Sequence, residues 1–419
     1  MTDGLGAMPE TDLNKVLAEF RPGLEVYLQG AGGEPLALRP ILQGAPEALA
    51  GVRLTSCLIP GINDFDYAAL HPDARLTVFM LPPALRASFE ARRVTVRPMA
   101  YSHIAELMSA GPPADLAILQ VTPPDAAGLC SFGPCVDFAP LVWPRAKRRL
   151  AFVNAALPRP HRGATIPFEA LDVTIDAEGP FITGRDAPPS PAQDEIAQRV
   201  AALVPDGASI QTGLGGAPAA AVAKLARHRR LVIRSGMVTE GYRVLAESGA
   251  LDPGADHITG LAYGSAAFMA WAAERWMFAD ASNTHGAAAL AATPYFFAIN
   301  SALEVDLFGQ VNVEWRGGRL VSGTGGAPDF ARAARLSPGG RAILAVPASA
   351  GPISRIVPRL ETPTVSLPGS DADLVVTEHG VADMRDASLD ARAEALIAIA
   401  APEHRLRLAE AWTRMRREF

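Results

Sequence analysis

Cysteine is scarce, at three residues in 419. An odd set of Cys57, Cys130 and Cys135 cannot build a paired disulfide framework. Cys130 and Cys135 are separated by four residues, with no histidine pair or second cysteine pair to complete a zinc site, so no metal is expected. Incidental or buried thiols in a reducing compartment are the expectation. Positive charge is not in excess either. Lys+Arg 38 against Asp+Glu 44 leaves a net charge of −6, which argues against nucleic acid as an obligate partner. The two arginine-rich runs, RAKRR (145–149) and RHRR (227–230), are expected to be solvated helix ends or loops, with the phosphates of a nucleotide-like cofactor as the alternative. No apolar run reaches the length of a membrane span, so no membrane partner is expected. The N-terminal MTDGLGAMPETDLNKVL carries acidic residues and no apolar h-region, so no signal peptide is expected and the chain reads as cytoplasmic. Several catalytic motifs are missing as well: no Ser elbow of the G-x-S-x-G type, no HExxH and no Walker loop.

What is present is a chain of ordinary globular composition, 49% hydrophobic and 20% charged, long enough for two domains. Strand-like runs alternate with helical ones: 25–29, 76–81, 93–99, 115–121 and 149–154, with helices over 84–92 and 103–110. After the Pro-rich segment RDAPPSPA (185–192) and a helix over 194–203, strands resume at 209–213, 230–236, 295–300, 303–309, 341–347 and 373–380. The alternation predicts an α/β fold with mostly parallel, doubly wound sheets. A division near residue 190 predicts two domains, 1–190 and 191–419.

One phrase occurs twice in the second half. GLGGAP (213–218) and GTGGAP (323–328) each lead into an Ala-rich helical run. Glycines followed by proline suit a strand–loop–helix junction, where bare N–H groups and the helix dipole favour an anion or oxyanion. Among carboxylates, Glu240 in LVIRSGMVTEG, Glu304 and Asp306 in NSALEVDLFGQVN, and Glu378 in VVTEHG stand at strand ends. Such a group can serve as nucleophile or general base if its surroundings tune it, or it can simply cap a helix or pair with an arginine. His285 and His379 are lone histidines and read as structural. Tyr263, Phe268, Trp271 and Trp276 could line an acyl pocket, although core packing is the default for such residues.

Together, INSALEVDLFGQVN (299–312), SGTGGAPDFARAA (322–334) and VVTEHGVADMRDASLDARAEALIAIAAPEHR (375–405) resemble the C-terminal signature of the acetyl-CoA hydrolase/transferase family, which includes 4-hydroxybutyrate and acetate CoA-transferases. GLGGAPAAAVAKL (213–225) resembles its glycine loop, and DLAILQVTPPDAAGLCSFG (115–133) its N-terminal signature. The resemblance implies two CoA-transferase-type α/β domains with an active site between them. It also implies acyl-CoA and a small carboxylate as substrates, no tightly bound cofactor, and a homo-oligomer, most simply a dimer. By position, Gly213, Leu214, Gly215, Gly216 and Ala217 match the CoA-contacting loop. Leu303 and Gly326 match further CoA-contacting positions, and Glu378 matches a supporting glutamate.

The family's nucleophile is a glutamate in an H-T/S-E-M-like segment. LVIRSGMVTEG aligns with that segment without a gap and places Gly236 at the glutamate and Arg234 at the histidine. Three outcomes remain open. Glu240 or Glu304 could substitute; a carboxylate or Arg234 could orient water in a hydrolase; or the chain could bind CoA and do no chemistry. If the residues after Gly236 are helical, Glu240 lies about one turn, roughly 6 Å, further along, which suits a helper better than a nucleophile. A sugar-phosphate isomerase shares the broad fold, and the motifs speak against it.

Overall fold

The segment LAILQV (116–121) carries a near-continuous apolar run, and all six residues are buried. A strand covered on both faces in a parallel sheet requires such a run. The structure, a computed structural model, describes residues 9–185 and 187–418; the first eight residues and Asp186, with the leader and linker expectations that touch them, lie outside the described residues. The chain folds as two units. Unit 1 takes residues up to Arg185, then Ile258–Thr284 and Val321–Gly325; unit 2 takes residues 187–257, His285–Leu320 and the chain from Gly326 on. The chain thus enters unit 2 close to the expected division near 190, and it returns to unit 1 twice.

Unit 1 holds seven parallel strands: β1 (Glu25–Leu28), β2 (Arg53–Thr55), β3 (Arg75–Val78), β4 (Val94–Val96), β5 (Leu116–Val121), β6 (Arg148–Val153) and β7 (Val173–Asp176). Their spatial order is β7-β6-β5-β1-β2-β3-β4. The winding direction therefore reverses between β1 and β5. The short strands Ile258–Ala262, Met277–Phe278 and Arg162–Gly163 form a parallel row in the same unit. Its three cysteines are free and buried, as expected. Phe268 and Trp276 are core residues packed edge-on, as the default has it, whereas Tyr263 and Trp271 are only part-buried. The RAKRR run lies at the exposed end of the short helix Ala139–Val142 and enters β6, as expected, with Lys147 paired to Asp115, Arg148 to Glu19 and Arg149 to Asp172.

Unit 2 repeats the plan with β8 (Ser209–Thr212), β9 (Val232–Val238), β10 (Phe296–Ser301), β11 (Arg341–Ala345), β12 (Leu374–Thr377) and β13 (Gly380–Asp383). The order is β13-β12-β11-β10-β8-β9, parallel except for the β12–β13 hairpin. Here the reversal lies between β8 and β10. The helix expected over 194–203 begins earlier, at Pro191, because Ser190 and Gln193 form a capping box and proline suits the first helical position. The 303–309 run does not join the main sheet. Glu304–Asp306 instead pairs with Val311–Asn312 and Ile356–Val357 in a small side sheet.

The buried carboxylate of Asp373 ties unit 2 together at the other end of its strands. It accepts from Arg385 Nη2 at 2.6 Å, from Arg385 Nε at 2.8 Å and from the Ala342 N–H at 3.0 Å, and it pairs with Arg335 of the helix Ala327–Leu336. Burial works to raise this carboxyl, but Arg385, the Ala342 N–H and Arg335 outweigh it and hold it below the usual carboxylate range. Replacing Asp373 by alanine leaves two arginines without their anion and should cost about 3–5 kcal/mol, read as a lower urea midpoint. Because the folded carboxyl titrates lower than the unfolded one, its stabilisation is complete above about pH 4 and is lost as pH falls through the folded value. Asp373→Asn should flatten that acid limb of the stability–pH curve.

Candidate functional site

In open α/β sheets, ligands bind at the carboxyl ends of the strands where the winding reverses. In unit 2 that place is the end of β8 and β10. Strand β8 stops at Thr212, turns through Gly213–Gly215, and enters the helix Gly216–Lys224. Gly215 has φ +136°, a conformation that side chains rarely adopt. The buried amides of Gln211 and Asn300 pair reciprocally across β8 and β10, at 3.2 and 3.0 Å. Ser301 Oγ donates to the Leu214 carbonyl at 2.8 Å.

This frame leaves no room for side chains at the loop's three glycines. A Cβ on Gly213 would overlap Asn300 Oδ1, one on Gly216 would overlap Gln193 Nε2 of the capping box, and one on Gly215 would stand 2.8 Å from Ser301 Oγ. Leu214, Gly215 and Gly216 are exposed, while Ala217 and Pro218 are buried beneath them. The result is exposed backbone at the positive end of a nine-residue helix.

Strand β9 lies on the other side of β8. Ser209 is level with Val232 and Ile210 with Ile233; carried forward, the same offset sets Gly236 level with Gly213. On β10, Thr212 is level with Ile299, which puts Asn300 in the same row. The buried Ser235 confirms the alignment, meeting the Thr212 N–H at 3.4 Å. Thr212 Oγ1 and Tyr242 Oη are 2.7 Å apart, and burial pushes the Tyr242 phenol up to about 12.

Two expectations about LVIRSGMVTEG need correction. The strand does not end at Gly236 but runs on to Val238. Consequently Glu240 is not one helical turn from Gly236. Extended chain rises about 3.3 Å per residue, so Glu240 stands further off than 6 Å. It occupies the N-cap position of the helix Gly241–Glu247, in helical backbone conformation and with no capping bond from its side chain.

The other expected residues are placed as follows. Leu303 lies two residues beyond β10, its N–H donating to Asn312 O at 2.8 Å and its carbonyl accepting from Arg355 Nη1 at 3.2 Å. Glu304 accepts from Asn312 Nδ2 at 2.9 Å inside the side sheet. Asp306 is buried and collects the Gln310 N–H at 2.9 Å, the Gln310 amide at 2.9 Å and the Phe308 N–H at 3.1 Å, which makes it a turn-builder. Glu378 stands in the β12–β13 turn, accepting the Ala348 N–H at 2.8 Å while its own carbonyl accepts from Arg199. Three strand steps separate β12 from β8, about 14 Å at the usual spacing, so Glu378 braces the segment after β11 rather than the glycine turn. Gly326 is the N-cap of the helix Ala327–Leu336. The preceding residues Val321–Gly325 fold with unit 1, where Gly325 O accepts the Tyr101 N–H and Thr324 Oγ1 donates to Met99 O.

Two features escaped the sequence. His285 is buried in unit 2, its ring tilted 45° to that of Phe330 with centroids 4.5 Å apart, and it is set against Gly236 and Gly326. A third glycine turn, Gly30–Gly33, sits after β1 at unit 1's own reversal point. There Gln29 bridges Cys135 O and Gln120 N, and buried Glu34 accepts from Arg39, Asn63 and Tyr67. Its signal was available: GAGGEP (30–35) has the same Gly-x-Gly-Gly-x-Pro spacing as the other two turns.

Family models for the acetyl-CoA hydrolase/transferase N-terminal and C-terminal domains match residues 12–182 and 264–412. A 4-hydroxybutyrate coenzyme A transferase of Clostridium kluyveri is 30% identical over 404 residues, covering 93% of this chain and 94% of that one. The chain belongs to the acetyl-CoA hydrolase/transferase family. Among solved structures, the 4-hydroxybutyrate CoA-transferase of Porphyromonas gingivalis superposes with a TM-score of 0.80 at 28% identity, over 97% of each chain. RipA from Yersinia pestis superposes at 0.89 over 97% of each chain, and at 24% identity that likeness concerns the fold. Among the described residues, no cluster of three or more His, Cys, Asp or Glu could hold a metal ion, and no helix is long and apolar enough to cross a membrane.

Gly213→Ala tests the loop frame. Its methyl must displace the Asn300 amide and break the pair with Gln211, so a loss of about 1–3 kcal/mol is expected, measured as a fall in the thermal midpoint. Gly207→Ala, in an open turn with φ +78°, controls for glycine strain alone.

Proposed function

We propose that this chain binds acyl-CoA thioesters of small carboxylic acids and hydrolyses them, passing the acyl group to water without a CoA-bound enzyme intermediate. The Gly213–Ala217 turn, Leu303 and Gly326 form the CoA-binding set in this proposal. Exposed backbone at the start of the helix Gly216–Lys224 supports it, since such N–H groups and the helix dipole stabilise phosphate or a developing oxyanion.

The observation that carries the choice of hydrolysis is Gly236. CoA transfer through a covalent thioester needs a carboxylate whose oxygen reaches the acyl carbon at about 3–3.5 Å. The position level with Gly213 offers no side chain, Glu240 lies beyond the end of β9, and Glu304 is engaged by Asn312 in the side sheet. Water needs no such group, only a base one hydrogen bond away. The name of the Clostridium kluyveri relative favours a second possibility, CoA transfer to a small carboxylate acceptor with Glu240 or Glu304 as nucleophile.

Incubation with acetyl-, propionyl- and butyryl-CoA separates the two. Hydrolysis predicts steady release of free thiol with no acceptor acid present, a rate unchanged by added acetate, and no CoA adduct on the protein by intact mass or after borohydride reduction. An adduct of CoA mass on Glu240 or Glu304, or label exchange between CoA and acceptor acid, would assign the chain to CoA transfer instead.

A further inference from the structure

One face of the strands β1 to β4 in unit 1 carries a row of hydroxyls. Tyr27 is level with Thr55, Thr55 with Thr77 and Thr77 with Thr95, so the four side chains stand on the same face. Arg97 is two residues beyond Thr95, with its N–H still bonded to Val78 O at 2.8 Å, and follows on that face. A cavity of about 300 Å³ is lined by Tyr27 and Thr55 of this row, by Leu107 and Met108 of the helix Tyr101–Ala110, and by Val142. Glu25 and Ala114 at its edge mark the amino ends of β1 and β5, away from the glycine turn Gly30–Gly33 that follows β1. All of these residues belong to unit 1.

Two arginines line the same cavity, Arg97 and Arg145. Arg97 comes from the end of β4 and Arg145 from the segment before β6, and those strands lie on opposite sides of β1. Among the described residues, neither guanidinium has an ion pair or a hydrogen bond. Other arginines of the unit are answered: Arg39 by Glu34, Arg53 by Glu25, Arg148 by Glu19 and Arg159 by Asp125. The pair with Arg53 also takes up Glu25, the carboxylate at the cavity edge, so two uncompensated cations remain. Tyr27 is 4% exposed, yet its hydroxyl makes no hydrogen bond among the described residues, and neither does that of Thr55. A buried phenol ordinarily finds a partner. Burial, and after it the Asp137 carboxyl, hold the Tyr27 phenol well above its ordinary value, so it stands as a neutral donor.

We propose that this cavity binds a small dicarboxylate, with one carboxylate on Arg97, the other on Arg145, and the carbon chain over Leu107, Met108 and Val142. A guanidinium fork matches a carboxylate through two parallel hydrogen bonds. Cations brought in from opposite sides of β1 suit a ligand whose charges stand at its two ends. A monocarboxylate leaves one arginine unanswered, and inorganic phosphate sets polar oxygens against apolar walls. The volume is at the small end of ligand pockets, which suits a chain of a few carbons better than a nucleotide. Tyr27 and Thr55 offer hydroxyls to carboxylate lone pairs that the arginines do not fill. The site is separate from the proposed CoA-binding set and is the same whether the thioester is hydrolysed or transferred.

Calorimetric titration of succinate, glutarate and adipate, beside butyrate and inorganic phosphate, tests this on the wild type, Arg97→Gln and Arg145→Gln. The best dicarboxylate should bind at least about tenfold more tightly than butyrate or phosphate, and added CoA should leave its affinity unchanged. Each arginine variant should weaken it by about tenfold or more, the effect of losing a hydrogen-bonded charge. Both arginines are exposed and unpaired, so the thermal midpoints of the variants should match the wild type. Tyr27→Phe keeps the ring's packing and should weaken the dicarboxylate about 2–10-fold. The proposal is overturned if no dicarboxylate binds, if butyrate or phosphate binds as tightly, or if CoA displaces the ligand. Binding retained within about threefold in either arginine variant overturns it as well. Thiol release plays no part in the readout, so failure here leaves the thioester assignment where it stands.

Discussion

Backbone that approaches polar side chains more closely than a Cβ allows is the constraint on which unit 2's site depends. Gly213 lies against Asn300, Gly215 against Ser301, Gly216 against Gln193, and Gly236 and Gly326 against His285. Each glycine lets a strand end or helix start come within contact of a fixed polar group, and those groups are fixed in turn by their own bonds. Asn300 is locked to Gln211, Ser301 to the Leu214 carbonyl, and Gln193 to the Ser190 N–H. Preorganisation of this kind holds the loop backbone in one conformation without a ligand to fix it.

The opposite end of the same sheet is organised by charge instead. Asp373 joins the helix Ala327–Leu336, the start of β11 and the β12–β13 hairpin through Arg335, Ala342 and Arg385. That helix is N-capped by Gly326, beside His285, and its Phe330 packs against the imidazole. The buried ion cluster thus helps to set the angle of the helix whose Phe330 packs against His285. Stability at one end of the strands and positioning at the other are linked through a single helix.

Much of this was legible in the chain. Strands in both units fall where β-branched and apolar runs predict them, because a parallel strand covered on both faces must be apolar throughout. Arg53–Thr55 and Val173–Asp176 were missed, being short runs with charged or polar neighbours whose strand character comes from pairing with β1 and β6. The glycine turns were legible as spacing, and GAGGEP shows that the spacing was more general than two copies suggested. His285 was not legible. A lone histidine in SNTHGAAAL has no periodicity and no motif, and only the fold brings it to residues 49 positions before and 41 after.

Gly236 changes meaning once that neighbour is known. Taken along the sequence, it is a missing side chain, and a missing side chain suggests lost chemistry. In three dimensions the volume is not vacant, and what fills it is a titratable ring with a nitrogen at the edge it presents to both glycines. A carboxylate and an imidazole in that place differ in what they can do. The carboxylate can trade one thioester for another and conserve the bond energy in a new CoA ester. The imidazole here is 4% exposed and packed against both glycines and Phe330, so it fixes the strand end against the helix start. Because the ring and any larger residue at 236 exclude one another sterically, a carboxylate at 236 would require the ring to be moved or replaced, and in this chain the packing is built around the ring.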